Sequence, residues 1–454
     1  MRPLRQTNLL LGVVFAMIAA PNTHAAPPLQ SALASTLQAI VSDPATPLSS
    51  LSTLAIRNGQ VIYEGHFGQR VMAGDNAGVA IPSDHATLYR MASVSKLVAT
   101  VGAMQLVDAG KLDLDADIGQ YLGYTVRNPD FADVPITTRM LLSHTSSLRD
   151  EGGYFFPLDK PLKDVLQTGS VSTERNTTWA APVANADHAP GRYFTYCNLN
   201  FGIVGTLIEA ITGQRFDLRM QHAVLKPLGV AGGFTPETLT PDSIKHVAVL
   251  YRKASNDVWN PNGPWVPQVD NYQGKPPSPR AGLDAYVPGT NATGFGPQGG
   301  LRTSVAGLGA IMQMLMNDGV LNGQRVLSAK SVAAMLQNQW RKHPAQDNGD
   351  TLNGQFHAWG LGMQGFVDVS GPATGDRLTA RGGQTGAGHL GFAYGLESGF
   401  IFDPLTRNGV IYAIGGVAAD PDSNKGRYSS FPLWEERVLD ALWRHIEHSR
   451  RAGD

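Results

Sequence analysis

Strand patterns stand towards both ends of this 454-residue chain, and helical patterns fill the stretch between them. On the N-terminal side, Leu54 to Arg57 and Val61 to Glu64 flank Asn58-Gly59, the pair best suited to a tight turn that needs positive φ. On the C-terminal side, Phe400 to Phe402 and Gly409 to Ile414 read as strands. Between them, residues 136–250 hold helical patterns such as Phe201 to Ile211, which stops at Thr212-Gly213, and no strand ladder. Leu29 to Val41 and Leu433 to about Ile446 carry helical spacing as well. The order predicts an α/β (α+β) chain whose sheet is assembled from both ends, with a helical lobe inserted. Residues 254–300, rich in Pro, Gly, Asn and Trp, read as a long ordered loop, a kind of segment that usually shapes a binding site.

The first 25 residues have the layout of an export signal: Arg2 and Arg5, the apolar run Leu9 to Ala20, then the small-residue site Thr23-His24-Ala25. The expectation is a periplasmic or secreted protein without stable membrane insertion, since the run is too short to span a bilayer and no later stretch reaches the required length. Removing that segment moves the formal net charge from −1 to −3. Neither a basic patch nor a charge run is present, so nucleic acid is not an expected partner. The single cysteine excludes an intramolecular disulfide, and packing must supply the stability. The histidines show no metal-ligand spacing in the sequence, so neither a metal nor another cofactor is expected. Two G-x-G-x-x-G strings, at Gly294 and Gly360, lack the strand–turn–helix context of a dinucleotide site and read as loop glycines. The sequence specifies no oligomeric state.

Chemistry concentrates at Met91-Ala92-Ser93-Val94-Ser95-Lys96, the only S-x-x-K in the chain. If Ser93 opens a helix, the i, i+3 spacing brings its hydroxyl within reach of the Lys96 ammonium. The Ala, Val and Leu flanks create a dry setting that disfavours the charged lysine and moves it towards the range of a general base. A helix N-terminus also offers unpaired N–H groups to a developing oxyanion. Taken alone, such a motif is far more often an N-cap followed by a solvated lysine. Tyr196, Asn198 and Asn200 fall at alternate positions, so an extended segment would place them on one face and Cys197 on the other. Cys197 and His144 are read as structural: a packed core thiol and a hydrogen-bonded helix-end histidine.

Ser93-x-x-Lys96, Tyr196-x-Asn198 and a later Gly-rich segment together resemble the serine β-lactamase and penicillin-binding protein family, in its class C-like branch. Ile136 to Leu148 is similar to that family's I-T-x-R-x-L-L-x-H-T-S-G-L, with Ser147 where glycine is usual. The resemblance runs in order over nearly the whole chain after residue 25. It implies a β-lactamase-like fold over residues 26–454, an antiparallel sheet flanked by helices. An α/β lobe would occupy about 26–125 and 296–454, with the inserted helical and loop lobe at about 126–295. It also implies acyl transfer, with Ser93 as nucleophile, Lys96 and Tyr196 sharing the base and acid roles, and Asn198 orienting lysine and substrate. For the third motif the chain offers Gln384-Thr385-Gly386, the preferred assignment, or His389 with Gly391. The second oxyanion donor would then be Ala387 or Phe392. Small esters or amides are the expected substrates. The alternatives are a β-lactamase, a D-Ala-D-Ala carboxypeptidase, or a catalytically silent module that binds peptidoglycan peptides.

Overall fold

A computed structural model describes residues 28–451 except 77, 168–177 and 257, so the export-signal reading lies outside the described residues. Its centre is a nine-stranded sheet whose neighbours are all antiparallel. In chain order the strands of interest are β1 (Ser50–Arg57), β2 (Gln60–Val71), β3 (Ile81–Pro82), β4 (Tyr89–Arg90), β5 (Leu250–Ser255), β6 (Trp265–Val269), β7 (Arg302–Thr303), β8 (Trp340–Arg341), β9 (Ala358–Trp359), β10 (Gln364–Phe366), β11 (Gly386–Ala393), β12 (Leu396–Asp403) and β13 (Asn408–Ile414). The large sheet runs β8-β9-β10-β11-β12-β13-β1-β2-β3, so the first and last parts of the chain meet where β13 pairs with β1. Asn58 and Gly59 have φ of +49° and +77° between Arg57 and Gln60, which pair directly. The turn is the two-residue one that the dipeptide dictates.

Both faces of the central strands are apolar because both are covered. Leu54, Ile56, Phe400, Phe402 and Ile411 enter one core, with α2 (Val94–Asp108) and α5 (Val305–Met316). Leu51, Ala55, Ile401, Val410 and Tyr412 enter the other, with α1 (Pro28–Val41) and α6 (Leu433–Arg451). Two-sided burial explains why these strands read as continuous apolar runs instead of alternating ones. The amphipathic α6 lays Trp434, Val438, Leu442 and Trp443 on the sheet. The helix α2 that carries Lys96 is buried on all sides, hence its lack of a polar face. In the inserted segment α4 (Leu199–Thr212) packs beside it, and α3 (Thr138–Leu142) packs on α4.

That segment is not helix and loop alone. Within the expected 254–300 loop, β6 pairs antiparallel with β5, and Asp270 directly after the strand holds buried Arg302 with its carboxylate at 2.6 and 2.9 Å. Pro and Asn obscured the strand because β6 is short and only partly buried. No helix among the described residues is long and apolar enough to cross a membrane.

Candidate active site

The sequence enters the site through β4, which pairs with β7, after which the Met91 N–H donates to Leu301 O at 2.7 Å. Ala92 follows with φ +43°, a left-handed conformation that costs a non-glycine residue about 1–2 kcal/mol and persists because the surroundings impose it. Ser93, half-buried, then starts α2, while Lys96 one turn on is fully buried. The Lys96 ammonium has an acceptor for each proton: Ser93 Oγ at 2.9 Å, Asn198 Oδ1 at 2.7 Å and the Gln298 carbonyl at 2.8 Å. Burial lowers its pKa to about 7, against the opposing charge of Asp150. A lysine so placed exists in both forms near neutrality and can accept the Ser93 proton when neutral.

Tyr196 stacks on His144 with ring centroids 4.5 Å apart, lies under the Lys96 ammonium at 4.9 Å, and faces Ser93. Burial pushes its pKa up, more than the Ser93 contact pulls it down, so it stays a phenol and a proton donor. His144 is the strut behind it. Its Nδ1 accepts from the Cys197 N–H at 3.0 Å and its carbonyl accepts from the Thr195 N–H at 2.9 Å, while burial and Lys96 hold the ring neutral. Ser147, at the usual glycine position, has φ +63°, which is why glycine suits that position. Cys197 is a buried thiol donating to Asp150 Oδ1 at 3.2 Å, with its pKa raised by burial and by that carboxylate. It is no nucleophile.

Two expected placements change. Asn200 leaves the Tyr196 and Asn198 alternation because α4 begins at Leu199; it donates to His144 and accepts from Ser146 at 2.6 Å. The third motif moves as well. Gln384-Thr385-Gly386 sits at the opposite end of β11 from Ser93, with Gln384 bonded among the described residues to the adjacent Thr385 carbonyl. At about 3.3 Å per residue, Gly386 is roughly 16 Å along the strand from Gly391. Gly391 is the residue at Ser93: a Cβ there would lie 2.5 Å from Met91 O and 3.2 Å from Ser93 N, so glycine alone permits the approach. His389, on the same face of the strand, is buried beside Tyr196 and Trp359. Ala387 is paired to β10 on one side and β12 on the other, whereas Phe392 is paired only to β12, and β10 ends its pairing at Gly388. The open strand edge therefore belongs to Phe392. Gln384→Lys is expected to leave kcat/KM for an ester and for a chromogenic cephalosporin within about twofold of wild type, as for other surface changes; parallel steady-state assays check it.

Two residues that the sequence reading did not single out complete the arrangement. Asp150 accepts from Asn198 N and Nδ2, both at 2.8 Å, from Leu199 N at 3.0 Å and from the Cys197 thiol. It is a carboxylate at the N-terminus of α4, where the helix dipole favours negative charge, and it fixes the carboxamide that holds Lys96. Gln298 acts through a main-chain carbonyl, to which side-chain motifs are blind. It lies in a turn made by Gly296 at φ +69°.

The profile of the Beta-lactamase family matches residues 37–429. The chain belongs to the Beta-lactamase family. Among its curated relatives, penicillin-binding protein 4 of Amycolatopsis lactamdurans is 28% identical over 262 residues, 57% of this chain and 58% of the relative. Protein flp of Staphylococcus aureus is 26% identical over 200 residues, 44% of this chain and 37% of that one. The chain thus spans between about a third and three fifths of these relatives' lengths. Two solved structures share the Beta-lactamase family fold. D-amino acid amidase from Ochrobactrum anthropi, complexed with D-phenylalanine, has a TM-score of 0.62 at 19% identity, covering 93% of this chain and 99% of the amidase. The octameric penicillin-binding protein homologue from Pyrococcus abyssi has a TM-score of 0.62 at 20% identity, covering 92% of this chain and 77% of the homologue.

Proposed function

We propose that the chain is an exported serine hydrolase that works through an acyl-enzyme on Ser93 and acts on small esters or amides. The observation that carries the reading is the fully buried Lys96 Nζ 2.9 Å from Ser93 Oγ, with a pKa near 7. Neutral Lys96 takes the Ser93 proton as Oγ attacks the carbonyl carbon, and the oxyanion is received by the N–H groups of Ser93 and Phe392. Tyr196 passes a proton to the departing alcohol or amine and regains one from Lys96. Water then enters by the reverse route and releases the acid. Asn198 holds Lys96 and offers its amide to the substrate.

The preference for neutral leaving ends rests on His389. Burial and the nearby Lys96 lower its pKa to about 3, so the third-motif position offers no cation to a carboxylate. Its Nδ1 donates to Leu390 O, which leaves Nε2 as a buried acceptor without a partner among the described residues. The test is the ratio of kcat/KM for a p-nitrophenyl butyrate-type ester to that for a chromogenic cephalosporin, with Ser93→Ala as the blank. A ratio well above one supports the ester reading, and equal turnover by Ser93→Ala overturns the nucleophile. A β-lactamase or carboxypeptidase gains from one feature, Arg90, whose guanidinium lies 4.8 Å over the exposed Tyr394 ring and donates to Gly299 O. A preference for the cephalosporin that Arg90→Gln abolishes would favour that second reading.

The pH dependence has a definite sign. Only neutral Lys96 can accept the proton, so below about pH 7 the ammonium dominates and the rate falls about tenfold per unit. For an uncharged ester, kcat/KM is expected to climb to a plateau above about pH 7. A pH-independent rate between 5.5 and 8.5 would remove Lys96 from the base role.

A further inference from the structure

Glu64 and His66 lie two residues apart on β2, on one face of the strand, opposite Leu54 and Ser52 of β1. His85 reaches them from the segment between β3 and β4. Glu64 Oε1 stands 3.0 Å from His66 Nε2 and 2.6 Å from His85 Nδ1, and the three atoms all lie within 4.8 Å of one another. We propose that Glu64, His66 and His85 bind one divalent transition-metal ion of the zinc class.

The hydrogen bonds behind His66 support the assignment. Its Nδ1 is 2.9 Å from Ser52 Oγ, Ser52 Oγ donates to the Tyr89 hydroxyl at 3.3 Å, and that hydroxyl donates to Ser50 Oγ at 3.2 Å. Each hydroxyl passes its proton onward, so Ser52 is left to accept from Nδ1–H. That tautomer presents the Nε2 lone pair to Glu64, two acceptors across a gap that a cation fills. A ring nitrogen held from behind by a fixed partner is the arrangement that orients metal-ligating histidines. Two imidazoles and one carboxylate are a borderline donor set suited to zinc, with a fourth position left for water. Donor atoms about 2.0–2.2 Å from a tetrahedral ion stand roughly 3.4 Å apart. The two separations from Glu64 Oε1 need to open by less than about an ångström, and the exposed His85 side chain can supply the movement. A bound ion would join β2 to the segment that continues through β4 into Ser93.

The sequence shows only Glu64-x-His66; the third ligand is nineteen positions further on, so no local spacing announces the site. The test uses the full chain, free of any histidine tag and stripped with chelator, titrated with zinc chloride by calorimetry and with cobalt(II) by visible absorbance. One equivalent of zinc is expected, with a cobalt spectrum of low coordination number and a rise in thermal midpoint on adding zinc. His85→Ala and Glu64→Gln, both changes near the surface, should each weaken binding at least tenfold, and Ser52→Ala should weaken it about tenfold through the orientation of His66. Absence of stoichiometric binding, or binding that His85→Ala and Glu64→Gln leave unchanged, overturns the proposal.

Discussion

Replacing Lys96 by alanine is expected to lower kcat/KM for a small ester about 10³-fold, and replacing it by arginine is expected to cost as much. General-base catalysis supplies about 10²–10⁴ in rate, and Lys96, bonded to Ser93, has a pKa near neutrality. The arginine variant separates basicity from charge. Its guanidinium keeps the positive charge and can still donate to Asn198 Oδ1, yet it does not release a proton near neutral pH. Steady-state kinetics at pH 8, with circular dichroism to establish folding, decide the matter. An arginine enzyme within tenfold of wild type would reduce Lys96 to a fixed cation.

The second large effect is expected at Asp150, which contacts Lys96 only through Asn198. Asp150→Ala strips a charged acceptor from two backbone N–H groups at the start of α4, from the Asn198 amide and from the Cys197 thiol. Loss of such a cap with its charge-assisted bonds should cost about 2–3 kcal/mol of stability. Activity should fall by ten- to a hundredfold as Asn198 loses its fixed orientation, the scale typical of groups that orient catalytic ones. A purely structural role would end there. Asp150 is also the main charge raising the Lys96 pKa, so removing it lets Lys96 lose its proton at lower pH. In the milder Asp150→Asn variant, the ascending limb of the pH profile should therefore move towards acid. An unchanged midpoint would confine Asp150 to packing.

The difference between what the residues announced and what they concealed has a physical pattern. Asn58-Gly59, the spacing of α6 and the stop at Gly213 are local signals, and each element formed where the signal stood. Ser93 and Lys96 are one helical turn apart, so their contact too is a local property. Tyr196 and Asn198 were legible because the motif order resembles a family whose members use these residue types. The third motif was misplaced because Gly-rich strings at 383–386 and 388–391 are equivalent on paper. Register alone separates them: Gly391 is forced against Met91 and Ser93, while Gly386 is enclosed between β10 and β12. Asp150 was one acidic residue among thirty-seven, and Gln298 contributes a carbonyl that every residue has. The β5–β6 pair was hidden because long-range pairing, not local propensity, makes short strands of Pro-containing sequence.

The most direct test is whether Ser93 becomes covalently modified. A fluorophosphonate probe forms a stable bond to an activated serine oxygen, since phosphorus is attacked as the carbonyl carbon is. Intact-mass analysis of wild type and of Ser93→Ala after incubation with the probe should show one adduct on wild type, placed by peptide mapping within Met91 to Lys96, and none on the variant. Equal labelling of Ser93→Ala, or no labelling of wild-type protein that hydrolyses esters, would contradict a nucleophile at Ser93.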